Sequence, residues 1–220
     1  YLLEDEDMIS RVKKYINAIV SSQREDGWIC PCEEGQKAEY DSWAVLLITK
    51  VLTVYYECSN EEHILDVIYK TLKNYYDLLS SGKIKLFDWG AYRWYEGFIA
   101  INLIYDKYPE KWLEDLARLL KTQGTNYNDK MELWKRPLNQ WTFDTHIVNL
   151  AMMLKSEAVS CDILKESYTN NVDRLYEILY RYNGTPVGLF TGDECLSGLS
   201  PIQGTELCAV VEQMYSYELL

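Results

Sequence analysis

The segment Thr-Gly-Asp-Glu-Cys at 191–195 and the segment Gln-Gly-Thr-Glu-Leu-Cys at 203–208 decide the interpretation of this chain. The glycines predict an ordered loop. From Leu207 the apolar residues recur every three to four positions, which predicts a helix. Glu206 and Cys208 then lie at or just inside a helix N-terminus, where the dipole favours an anion such as a thiolate. A carboxylate and a thiolate so placed can share one zinc ion; a capped helix with a free cysteine is the alternative.

The bulk composition limits the classes of partner. The chain has 220 residues, 48% of them hydrophobic, which is enough for one large domain or part of one. Its net charge of −12, with no cluster of Lys and Arg, argues against binding to nucleic acid or to an anionic membrane surface. No apolar run reaches the ~20 residues that a membrane-spanning helix needs. We therefore expect neither a nucleic-acid nor a membrane partner.

Cysteine usage favours a reducing compartment. The six cysteines are scattered through a long helical pattern, whereas a disulfide scaffold would be shorter and denser in cysteine. We expect free thiols and a cytoplasmic protein. The chain does not begin with Met and stops inside a predicted helix at Leu219-Leu220, so we also expect it to be part of a longer protein.

Hydrophobic periodicity predicts an all-α fold. Pro201 is expected to end the segment before the last helix. Short turns alternate with long loops along the chain, which indicates helical hairpins whose long loops gather at one end and build a site. No repeat of fixed period is present, which favours a toroid over a solenoid. Eight helices are predicted, at about 5–22, 41–57, 61–81, 91–107, 110–122, 144–156, 161–182 and from 207 onward.

Eight helices would form an incomplete ring if the complete one is an (α/α)6 toroid of six hairpins. An open ring leaves apolar helix faces without partners. We therefore expect a large exposed apolar patch near the first and last helices. Such a chain should self-associate, so a homo-oligomer is the expected protein partner.

Four motifs, taken in order, carry a family resemblance. They are Asp-Trp-Gly-Ala-Tyr-Arg-Trp at 88–94, His-Ile-Val-Asn-Leu-Ala at 146–151, Gly-Leu-Phe-Thr-Gly-Asp-Glu at 188–194 and the segment at 203–208. From about Trp28 to the end, the chain resembles the β-L-arabinofuranosidase-like family, glycoside hydrolase family 127, long catalogued as a domain of unknown function. The last motif is the most specific.

The resemblance implies an (α/α)6 barrel that hydrolyses a sugar linkage with retention, acting on β-L-arabinofuranosides or related plant glycans. It implies one zinc ion held by a glutamate and three cysteines, one of which is the nucleophile. Glu206 and Cys208 match two of these ligands, Glu194 matches the acid/base, and His146 matches a sugar-binding histidine. The other two ligands form an adjacent Cys-Cys pair that we expect downstream of residue 220, with β-sandwich domains beyond. The 220 residues alone are therefore expected to be inactive, as one part of the barrel catalytic domain.

Several assignments have alternatives. Trp89, Trp94 and Trp141 offer rings on which sugar faces stack, or they fill the core. His146 begins a helix, so it binds sugar or caps that helix. Glu194, Glu206, Cys208 and His146 should cluster at one end of the helices, with Glu194 within about 15 Å of Glu206.

A structural ion pair is expected between Asp88 and Arg93, where it would order the connector before the fourth helix. At the level of function, two other classes remain open. One is a non-catalytic helical-hairpin domain that binds carbohydrate or protein. The other is a different (α/α) toroid enzyme, such as an unsaturated glucuronyl hydrolase or a polysaccharide lyase, although a charge of −12 is poorly suited to polyuronates.

Overall fold

The computed structural model describes residues 1–136, 141–200 and 202–220. Within these residues the regular secondary structure is helical apart from one short hairpin, β1 (Gly192–Asp193) and β2 (Cys195–Leu196). The prediction of an all-α fold is confirmed; Pro201 lies outside the described residues. The helices are α1 (Glu6–Ser21), α2 (Trp43–Ser59), α3 (His63–Ser80), α4 (Asp88–Tyr92), α5 (Gly97–Lys107), α6 (Lys111–Gln123), α7 (Ile147–Met153), α8 (Ser156–Leu164), α9 (Asn171–Asn183) and α10 (Leu207–Glu218).

The prediction of one long seventh helix is wrong, because a loop separates α8 from α9. Lys165 and Asn170 both adopt left-handed backbone angles, with φ of 58° and 57°. The Glu157 carboxylate accepts hydrogen bonds from the backbone N–H groups of Thr169 and Asn171. These bonds satisfy donors at the start of α9 that a continuous helix would have paired internally. Periodicity alone did not reveal the break.

The helices pack around one continuous hydrophobic core. Helix α2 packs against α3 and α5, α3 packs against α6, α5 packs against α6 and α8, and α7 packs against α10. This arrangement brings the beginnings of α7 and α10 together. Among the described residues, no helix combines the length and the apolar character needed to cross a bilayer.

A buried ionic cluster joins α2, the start of α5, the α7–α8 junction and α10. Glu96 and Lys155 are almost completely buried, and their charged groups lie 2.5 Å apart. Lys50 Nζ lies 2.5 Å from the other Glu96 oxygen, and Glu212 lies 3.6 Å from both lysines. Burial alone would raise the pKa of Glu96, but Lys155 and Lys50 outweigh it and hold that pKa below its usual value. Glu96 is therefore a buried carboxylate between two ammonium groups.

Three helices direct apolar rows toward solvent. On α10 the buried residues are the small or polar Ala209, Gln213 and Ser216. On α1 the buried residue is Ile16. Apolar residues are exposed on the first and last helices, while one large continuous patch remains a prediction. The exposed rows are Met8, Val12 and Tyr15 on α1, Leu47, Val51 and Val54 on α2, and Leu207, Val211 and Met214 on α10.

Candidate functional site

The candidate site is built around the β1–β2 hairpin, whose tip is Glu194. Asp193 pairs with Cys195, so Glu194 alone makes the turn, with a left-handed φ of 75°. Its carbonyl accepts a hydrogen bond of 2.8 Å from Ile147, the first residue of α7. A left-handed glutamate is strained, and such strain is concentrated at functional sites. The hairpin therefore holds the Glu194 side chain beside the start of α7.

Gly192 joins the same hairpin to α10. Its N–H donates to the Gly204 carbonyl, and its own carbonyl accepts from the Glu206 N–H at 3.0 Å. A side chain at this position has no room, since a Cβ would lie 2.5 Å from the Cys195 carbonyl oxygen. These backbone contacts place Glu206, which precedes α10, next to the tip of the hairpin.

Three predicted site residues meet at this point. Ligand atoms of His146, Glu194 and Glu206 all lie within 4.8 Å of one another. Glu194 Oε2 lies 3.3 Å from His146 Nε2 and accepts a hydrogen bond of 3.2 Å from Trp141 Nε1. The predicted proximity of Glu194 and Glu206 is confirmed. The Glu194 side chain is 59% exposed, so a ligand can reach it.

The hydrogen bonds of His146 determine its tautomer. His146 precedes α7, and its Nδ1 accepts the Asn149 N–H at 3.3 Å, which confirms the capping role. The proton of the neutral ring therefore lies on Nε2, the nitrogen that faces Glu194. Burial and the charge of Arg93 lower the pKa of His146, against the opposing effect of Glu194. This tautomer makes Nε2 a hydrogen-bond donor that faces Glu194.

We expect nuclear magnetic resonance to show the neutral Nε2–H form of His146 at pH 7. The chain contains two histidines, His63 and His146, so a long-range ¹H–¹⁵N correlation spectrum is simple to assign. The pKa of His146 should lie below the ordinary histidine value of about 6.5. Its neutral form stabilises the fold fully above the unfolded pKa of about 6.5, and this contribution is lost as the pH falls through the lower folded-state pKa. A His63→Gln control should leave the His146 signals unchanged, whereas an Nδ1–H tautomer would contradict the assignment.

Aromatic rings form a wall beside the carboxylates. The ring centroid of Trp89 lies 5.2 Å from that of His146 and 4.9 Å from that of Phe143. The ring centroids of Trp141 and Phe143 lie 4.8 Å apart. Trp141 is 44% exposed, and its indole N–H already points at Glu194. The wall therefore offers an accessible ring face within reach of the acidic groups.

Trp94 lies in a different environment. It is buried, its indole N–H donates to the Thr125 carbonyl, and it packs against Phe98 and Gly124. It lines a separate cavity of about 500 Å³ between α6, α8 and α9. The structure thus does not bring Trp94 together with the other predicted sugar-contacting residues.

The prediction of an ion pair between Asp88 and Arg93 is wrong. The Arg93 guanidinium lies between the Trp43 and Trp89 rings, 4.4 and 4.2 Å from their centroids. Its Nε donates to Asn149 Oδ1 at 2.8 Å. Cation–π contacts and this hydrogen bond satisfy a buried guanidinium whose pKa is lowered by burial. Arg93 therefore fixes the orientation of Trp89 in the aromatic wall.

Sequence reasoning missed Asp41 and Asn149. The Asp41 carboxylate accepts from the backbone N–H groups of Trp89 and Gly90 at 3.0 Å, and so anchors α4. The Asn149 amide donates to the Phe143 carbonyl at 3.1 Å and accepts from Arg93. Aspartate commonly caps helices, but the helix that Asp41 anchors, α4, lies far along the chain, so the sequence does not show which helix it caps.

Glu206 and Cys208 lie at the start of α10, but among the described residues the group of possible ligand atoms joins Glu206 with His146 and Glu194 and does not include Cys208. Glu206 Oε2 is buried and makes no hydrogen bond to any described residue, which leaves a carboxylate oxygen free for a cation. Cys208 is exposed at the start of α10, and the neighbouring Glu206 carboxylate raises the pKa of its thiol. The expected stabilisation of a thiolate by the helix terminus is therefore outweighed here. A cation shared by both side chains would remove that repulsion, because it favours the charged form of each.

Comparison of the chain with models of protein families, with curated proteins and with solved structures gave no match.

Proposed function

We propose that this chain carries the acid/base half of a retaining, zinc-thiolate glycoside hydrolase that acts on β-L-arabinofuranosides or related plant glycans. The observation that supports this most directly is the meeting of Glu194, Glu206 and His146 within 4.8 Å beside the indole of Trp141. An aromatic ring for stacking beside an acidic group is typical of sugar sites, and Glu206 beside Glu194 would hold a cation next to the proposed acid/base. The proposed complete fold is the (α/α)6 toroid.

Glu194 serves as general acid and then as general base. Its Oε2 faces the N–H groups of Trp141 and His146, so the transferable proton is carried on Oε1. Glu194 gives this proton to the glycosidic oxygen as the nucleophilic cysteine thiolate displaces that oxygen from the anomeric carbon, and later removes a proton from the water that displaces the sulfur. The neutral His146 ring and Trp141 keep the carboxyl group oriented through both steps.

Glu206 and Cys208 would hold a zinc ion at the start of α10. Zinc supplies positive charge that keeps a bound thiolate deprotonated at neutral pH. The six cysteines, all in the described part of the chain, are free thiols. This state suits a reducing compartment, and we propose the cytoplasm.

Hydrolysis of a chromogenic β-L-arabinofuranoside by the full-length gene product, with released chromophore and metal content measured together, tests the proposal. Turnover that requires zinc supports it. Sugar binding without turnover, in a protein loaded with zinc, would favour the alternative of a carbohydrate-binding domain. The exposed indole of Trp141 supports that alternative, which requires no proton transfer by Glu194.

Replacement of Trp141 should weaken sugar binding in this chain. Trp141→Ala removes the exposed ring of the aromatic wall, and a loss of ~1 kcal/mol corresponds to about fivefold weaker binding. Titration with methyl β-L-arabinofuranoside, followed by ligand-observed magnetic resonance, measures the change. Tyr108→Ala is the matched control, since Tyr108 is 43% exposed and Trp141 is 44% exposed. Equal affinities for the wild type and both variants would rule out stacking on Trp141.

A further inference from the structure

The cavity of about 500 Å³ between α6, α8 and α9, here called the α6–α8–α9 cavity, is separate from the candidate site. Among the described residues that line it, none belongs to that site. The loop between α8 and α9 supplies part of its rim, since Glu166, Ser167 and Thr169 line it and are exposed. The volume lies within the range of roughly 300–1,000 Å³ that small-molecule sites occupy. The break between α8 and α9 therefore contributes to a cavity that a small ligand can enter from solvent.

The buried part of the lining is formed mainly by two aromatic rings and one aliphatic side chain. Trp94, Tyr127 and Leu175 line the cavity and are buried. The polar tips of both rings are already paired, because the Trp94 indole donates to the Thr125 carbonyl and the Tyr127 hydroxyl donates to the Tyr92 carbonyl. These rings therefore offer a ligand their carbon surfaces for packing.

Hydroxyl and amide side chains make up most of the remaining lining. Serines, threonines and asparagines are eight of the fifteen lining residues, so a ligand rich in hydroxyl groups finds both donors and acceptors there. The hydroxyl groups of Ser156 and Ser167 line the cavity and make no hydrogen bond to another residue in the described part of the chain. Both hydroxyls are therefore free to bond to a ligand.

The charges around the cavity cancel. Its lining holds two cations, Lys121 and Arg174, and two carboxylates, Glu157 and Glu166. Lys121 pairs with Glu166, and Glu157 accepts hydrogen bonds from two backbone N–H groups at the start of α9. Arg174 is exposed and forms no ion pair with another described residue, so its N–H groups remain available. With no net charge in the lining, an uncharged polar ligand is favoured over an ionic one.

We propose that the α6–α8–α9 cavity is a second binding site, for a neutral saccharide. A sugar ring has C–H faces that pack on the carbon surfaces of Trp94 and Tyr127. Its hydroxyl groups accept from the Arg174 guanidinium and exchange hydrogen bonds with Ser156 and Ser167. Binding there needs neither zinc nor proton transfer by Glu194, so the proposal stands apart from the proposed hydrolysis.

Indole ¹H–¹⁵N resonances of the 220-residue chain test the proposal. The Trp141→Ala variant is used, so that stacking on the candidate site does not contribute. The Trp94 indole N–H reports on the cavity, because both Trp94 and its acceptor Thr125 line it. Titration with arabino-, xylo- and cello-oligosaccharides should shift the Trp94 signal saturably for at least one of them. No shift with any of the three, or a shift with oligogalacturonate alone, would overturn the proposal.

Variants of Arg174 locate the ligand and determine its charge class. In the same background, Arg174→Ala should weaken binding by about tenfold, since it removes hydrogen bonds from a charged donor. Arg174→Gln keeps N–H donors without the charge and should bind more tightly than Arg174→Ala. Arg118→Ala, at an exposed arginine of α6 outside the cavity, is the matched control and should bind like its parent. Circular dichroism checks the fold of each variant. Unchanged affinity in Arg174→Ala, or an equal loss in both Arg174 variants, would contradict binding of a neutral saccharide at this site.

Discussion

Glu194→Gln should lower turnover of an aryl β-L-arabinofuranoside by about 100- to 10,000-fold in the full-length gene product, the range that general acid–base catalysis contributes. Glutamine keeps the oxygen that accepts from Trp141 but carries no transferable proton. The fold and the metal content should be unchanged, because Glu194 is not assigned as a zinc ligand. Steady-state rates and elemental analysis on the same preparation measure both quantities.

Two further variants separate the roles of neighbouring residues. Asp193→Asn makes the same change of charge one position earlier in the hairpin, on an exposed side chain, and should keep nearly full activity. Cys208→Ser should lower metal content as well as turnover, since it removes one of the two proposed ligands. Full activity of Glu194→Gln would remove Glu194 from the mechanism, and unchanged metal in Cys208→Ser would remove Cys208 from the zinc site.

Lys155→Ala should destabilise the fold by about 3–5 kcal/mol, because it removes the fully buried one of the two cations that neutralise the Glu96 carboxylate. Glu96 is 1% exposed and lies 2.5 Å from the Lys155 ammonium group. Without Lys155, Lys50 is the remaining cation in contact with it among the described residues. The midpoint of urea unfolding, followed by circular dichroism, measures the loss.

A surface ion pair provides the control for this prediction. Lys111 and Asp115 lie 2.6 Å apart but are 67% and 39% exposed, so Lys111→Ala should cost less than about 1 kcal/mol. The double variant Glu96→Gln with Lys155→Met should recover part of the loss, because it removes both charges together. Equal effects of Lys155→Ala and Lys111→Ala would show that the buried cluster contributes little to stability.

Local sequence patterns predicted most of the helices and the residue at which α10 begins, beside the candidate site. The periodicity from residue 207 predicted a helix, and α10 begins at Leu207 with Glu206 as its N-cap. His146 at a predicted helix start does cap α7. The motif order also placed Glu194 and Glu206 in one site, and they lie together. Each of these features depends on neighbours within a few residues, or on motifs taken together.

Contacts between distant segments were beyond such reasoning. The spacing of Asp88 and Arg93 suggested an ion pair, but Arg93 lies between two indoles, one of them contributed by α2. Trp94 shares a motif with Trp89 yet lines another cavity. In each case the partner comes from a segment far along the chain, so nearby residues carry no signal of it.

The sequence by itself determined that this protein is helical, which helix faces are apolar, and that Glu194 and Glu206 lie in one candidate site. The tertiary structure alone decided which apolar faces are covered and how the site is oriented. Periodicity reports that Val51 and Val211 lie on apolar rows, but only packing shows that both rows face solvent. The direction of Glu194 likewise follows from backbone hydrogen bonds that join the hairpin to the starts of α7 and α10. The physical reason is that local propensity acts through adjacent residues, whereas burial and orientation depend on which segments the completed fold brings together.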